Sequence, residues 1–110
     1  AAMQDALFSS SLGPDQAIDY LARMGPESTR AMLDMFGADL PSPGKMNACP
    51  MLVMGAADDA LIPGAFVRAT ARGYDAPLHI LDGIGHLMML DVAWRTAADC
   101  LLDWMRKNGF

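Results

Sequence analysis

The spacing of apolar positions changes twice along this chain. Between residues 14 and 36 they recur at helical intervals, first as Ile18, Leu21 and Ala22 and then as Met32, Leu33 and Phe36. Steps of three and four place each set on one face of a helix. Pro14 suits a first helical turn, Gly25 and Gly37 supply stops, and Pro26 restarts the pattern. Two short helices are predicted, packed as an antiparallel pair, with no convincing strand before residue 46. Pro41-Ser42-Pro43-Gly44 then breaks the chain.

From residue 50 the spacing becomes that of alternating strands and helices. Residues 51–54 are continuously apolar between Pro50 and Gly55, the pattern of a parallel strand buried on both faces. Residues 63–72 read as a helix with Phe66, Val67 and Thr70 facing inward, closed by Gly73. Residues 78–81 form the next predicted strand, where His79 is a packing or surface residue. A last helix is predicted from Asp91, a favourable N-cap, to about Arg106. Its stripe is Ala93, Ala97, Cys100, Leu101 and Trp104. Strand, helix and strand in this order make a right-handed βαβ unit.

Composition narrows the partners. The 110 residues carry a formal charge of −5, and the eight Lys and Arg residues are scattered, so nucleic acid is excluded as an expected partner. No run approaches the roughly 18–20 apolar residues of a membrane span, and a cytoplasmic location is expected. The hydrophobic share of 53% is high for a chain of this length, which suggests cover by further protein. Cys49 and Cys100 have no ligand-like spacing, so no metal site is expected. They are expected as free thiols, in keeping with an intracellular setting; a disulfide would require their Cα atoms within about 7 Å, which nothing in the sequence shows.

Two polar constellations interrupt the second part. The first apolar run ends in Gly-Ala-Ala-Asp-Asp-Ala-Leu-Ile-Pro at residues 55–63, and the second is followed by Gly-Ile-Gly-His-Leu-Met-Met-Leu-Asp at residues 83–91. Here the chain resembles the carboxyl-terminal part of an α/β-hydrolase, in which the triad acid follows one strand and the histidine the next. The resemblance covers residues 50–110 well and residues 1–46 by position and helical character. It implies a partial α/β-hydrolase fold: a helical cap- or lid-like segment over residues 1–46, then a βαβα part of the core over residues 47–110.

The same resemblance assigns roles. His86 is the expected general base, since the glycines before it let the backbone turn sharply and it lies 27 residues after Asp59. Asp58 and Asp59 both qualify as the acid that holds the imidazole in its useful tautomer. The step from Gly55 favours Asp58, whereas the step to Pro63 favours Asp59, which is preferred. The plain alternative is an Asp-Asp turn that only caps the next helix. Leu61 and Leu87 are expected to line an apolar substrate pocket; Met88 and Met89 fit core filling better. Cys49 precedes its strand, opposite the crevice, and is a poor nucleophile.

The nucleophile is the missing member. The serines are Ser9, Ser10, Ser11, Ser28 and Ser42, and none lies in a Gly-x-Ser-x-Gly turn. The expectation is therefore a carboxyl-terminal piece of a cofactor-free Ser-His-Asp hydrolase for an ester or related acyl substrate, lysophospholipase-like in feel. It is expected to be inactive alone. Its unpaired strand edge should self-associate or retain an amino-terminal complementary piece. The alternative is a small non-catalytic α/β binding module.

Overall fold

A computed structural model describes residues 2–38, 40–45 and 49–110. Its elements in order are α1 (Ala2–Leu7), α2 (Pro14–Ala22), α3 (Thr29–Leu33), β1 (Val53–Ala56), α4 (Gly64–Gly73), β2 (Leu78–Leu81) and α5 (Trp94–Lys107). A π-helical turn, Asp34–Ala38, follows α3 and is kinked at Gly37, which takes φ +114°. The expected boundary at residues 46 and 47 lies outside the described residues.

β1 and β2 pair in parallel, with Val53 opposite Leu78 and Ala56 opposite Leu81. The ladder is extended at both ends: Val53 N donates to Pro77 O and Ala57 N to Leu81 O, at 3.0 and 2.8 Å. Strand alternation assigns the two faces. Met54, Ala56 and Leu81 cluster with Ile84 and with Ala97 of α5. Gly55 turns the other way, towards Val67 of α4. The helices therefore cover opposite faces of the pair, a three-layer mixed helix-and-sheet arrangement of α/β class.

Val67 and Ala71, four residues apart, form the buried face of α4. Phe66 and Thr70, expected inward, are exposed, because α4 turns the face of Val67 and Ala71 to the sheet instead. In α5 the buried residue is Ala97, and Leu101 is exposed. β1 is only half-buried at Val53 and Met54, so the strand is not enclosed on both faces as its apolar run suggested. Two strands leave each with one unpaired edge among the described residues.

The amino-terminal part forms a second small core. Phe8, Leu12 and Ala17 are buried there, with Leu7, Tyr20, Leu21, Leu87 and Leu90 packed around them. The helical partner of α2 is therefore α1, not α3. Met32, Leu33 and Phe36, the predicted inward face, all stand in solvent, with Phe36 83% exposed. α3 itself starts where Ser28 caps it, its Oγ accepting from Ala31 N. No helix among the described residues is long and apolar enough to cross a membrane.

Candidate functional site

Both polar turns leave the carboxyl ends of the strands, the side on which open α/β sheets bind ligands. After Ala56 the chain bends so that Asp58 N donates to Ile84 O at 3.1 Å, which ties the two turns together. Asp59 then folds back over its own loop. Its Oδ1 accepts from Leu61 N and Ile62 N, at 2.9 and 2.8 Å, as in a side-chain-closed turn. That leaves Oδ2 to face the second turn, where His86 Nδ1 lies 2.9 Å away. Asp58 is exposed and contributes only its backbone.

Burial pushes the Asp59 carboxyl up, but the Ile62 N–H, the His86 ring and the Leu61 N–H outweigh it, and the group sits below its ordinary value. It is therefore ionised at neutral pH and can only accept hydrogen bonds. The tautomer follows. His86 Nδ1 must carry the proton it shares with Asp59, so in the neutral ring Nε2 is left with a lone pair. Nothing among the described residues bonds Nε2. The histidine side chain is 28% exposed and the aspartate 7%, so the carboxylate is sheltered while the imidazole is partly exposed.

The His86 turn depends on two glycines for different reasons. Gly83 takes φ +69°, a left-handed conformation that favours glycine. Gly85 is needed for closeness: a Cβ there would sit 2.5 Å from Phe8 C and Ser9 N. The turn is thus pressed against the segment that joins α1 to α2.

Asp91 holds that junction, a role the sequence did not reveal. Instead of capping α5, whose first residue is Trp94, its carboxylate turns inward and is 1% exposed. Oδ1 accepts from Ser9 Oγ and Val92 N at 2.8 and 2.7 Å, and Oδ2 from Ser9 N and Gly85 N at 2.9 and 3.0 Å. Burial raises this carboxyl, and the bonds from Gly85, Ser9 and Val92 bring it below its ordinary value. The available signal was an acid set among Met89, Leu90 and Val92. For Ser9 nothing distinguishes it from Ser10 and Ser11.

The apolar candidates separate. Leu61 stands beside the Asp59 loop, about half exposed, whereas Leu87 packs into the amino-terminal core. Met88 packs with Ala56, Ile84 and Ala97. Met89 is exposed and, with Leu12, Tyr20, Val92 and Trp94, lines a shallow groove of about 300 Å³. A larger hollow of about 540 Å³ lies at the opposite end of the strands, around Met51, Tyr74, Pro77 and Trp104. Neither is lined by Asp59 or His86. Cys49 borders the larger hollow and is unpaired, as is half-buried Cys100. Among the described residues no group of three or more His, Cys, Asp or Glu side chains is arranged to hold a metal ion.

No family model, no curated protein and no solved structure matches this chain.

Proposed function

We propose that Asp59 and His86 are the acid and base of a Ser-His-Asp hydrolase whose serine and oxyanion donors lie outside these 110 residues. The observation that carries this reading is the 2.9 Å contact between Asp59 Oδ2 and His86 Nδ1, with Nε2 unbonded among the described residues and the side chain partly exposed. A triad uses this order of atoms. Nε2 takes the serine proton as the hydroxyl attacks the carbonyl and then returns it to the leaving group, while the carboxylate stabilises the imidazolium between those steps. Ester or related acyl transfer fits the exposed apolar residues Leu61 and Ile62 beside the acid. No bound cofactor enters these steps.

The purified chain should neither react with a fluorophosphonate probe nor hydrolyse activated esters faster than free imidazole, since it supplies no activated hydroxyl. Stoichiometric labelling overturns the assignment of the nucleophile to other sequence. The encoding gene provides the second check. A Gly-x-Ser-x-Gly turn roughly a hundred or more residues before Asp59 is expected from the chain order of such triads; a stop codon or an unrelated domain there refutes the proposal.

A further inference from the structure

Resting on that acid–base reading, we infer that Asp91, with Ser9 as its partner, is the positioning residue of the general base. Its carboxylate anchors the backbone on which His86 is mounted to the segment between α1 and α2. Both neighbours of His86 are tied to this anchorage. Gly85 N donates to Asp91 Oδ2 at 3.0 Å, and Leu87 N donates to Leu7 O at 2.9 Å. The peptide unit that precedes Gly85 and the one that follows His86 are therefore held, and Asp59 sets the rotation of the histidine side chain.

The chemistry of the anchor is specific to a carboxylate. A buried ion is costly unless its lone pairs are satisfied, and Asp91 receives four donors across its two oxygens. An asparagine of the same shape offers one accepting oxygen, and its amide hydrogens would confront N–H or O–H donors on the other side. Ser9 is itself 5% exposed and spends both its N–H and its hydroxyl on Asp91. Phe8, Leu12, Leu87 and Leu90 pack beside the anchor in one apolar cluster. The amino-terminal helices α1 and α2 thus act as a support for the base.

The test is ¹⁵N NMR of the folded chain, reading the His86 ring nitrogens above the titration range and the exchange of the Leu87 amide, in Ser9→Ala, Asp91→Asn and Asp59→Ala. Wild type is expected to show the Nδ1–H tautomer and a protected Leu87 amide. Asp91→Asn should shift His86 towards the Nε2–H form that free histidine prefers and speed Leu87 exchange on the order of tenfold, the scale of one lost hydrogen bond; Ser9→Ala should do the same more weakly. If Asp91→Asn fails to fold, Ser9→Ala decides. Unchanged tautomer and exchange in the folded variants overturn the positioning role, while Asp59→Ala still shifts the tautomer. If Asp59→Ala leaves the tautomer unchanged as well, the acid–base reading itself falls.

Discussion

Gly85→Ala tests the close approach beneath the base most directly. The added Cβ meets Phe8 C and Ser9 N at 2.5 Å and Phe8 Cα at 2.8 Å, all backbone atoms, whereas ordinary contact begins near 3.4 Å. The 8–9 backbone must therefore retreat by about 0.9 Å. Bonds of 2.8–2.9 Å stretched that far are no longer hydrogen bonds. Three are at stake: Ser9 N and Oγ to Asp91, and Leu87 N to Leu7 O. Two involve a charged acceptor, worth ~1.5–3 kcal/mol each, and one is neutral, worth ~1 kcal/mol. Water recovers part of this as the segment lifts, so the expected loss is about 3–4 kcal/mol, a large share of the ~5–15 kcal/mol that stabilises a typical domain. Urea unfolding followed by circular dichroism measures it. Gly55→Ala is the control: its Cβ meets Val67 Cγ1 at 2.8 Å, a side chain that can rotate, and overpacking of that kind costs ~1–3 kcal/mol. A Gly85→Ala protein within about 0.5 kcal/mol of wild type, the range of an ordinary surface change, or more stable than Gly55→Ala, refutes the reasoning.

Acid should destabilise the chain through Asp59 and Asp91. Both are held below the ordinary carboxylate value when folded, so their contribution is complete above the unfolded value of about 3.9 and is lost as pH falls through the folded values. The thermal midpoint should fall below pH ~4, and the fall should be shallower in Asp91→Asn; a midpoint independent of pH down to pH ~2 contradicts this. The unpaired strand edges, together with exposed Leu33, Met35 and Phe36, should drive self-association. Light scattering is expected to report a mass above the 11.8 kDa of one chain, and a stable monomer opposes the expectation.

The sequence was most legible where a local pattern had a local cause. The strand at residues 78–81 and the helix after Pro63 follow from an apolar run and a proline–glycine frame, and the structure places them at Leu78–Leu81 and Gly64–Gly73. Asp59 and His86 meet because each lies just beyond a strand of a parallel pair, so adjacent strand ends bring their loops together. Choosing between Asp58 and Asp59 depended on a turn of a few residues, and the Leu61 and Ile62 amides show why the second is the one that faces His86. Long-range contacts were not legible. Ala17, rather than Ile18, is buried in α2 because the surface it packs on comes from Phe8 and Leu12. Asp91 looked like a helix cap because its partners, Ser9 and Gly85, come from other turns.

The Ser9–Asp91 link joins residues 82 positions apart, and this separation orders the events of folding. β1, α4 and β2 are contiguous and can condense through short-range contacts, whereas closing a loop of 82 residues exacts an entropy that grows with its length. The acid loop is therefore expected to form with the contiguous βαβ unit, and the Ser9–Asp91 anchorage of the His86 turn after it.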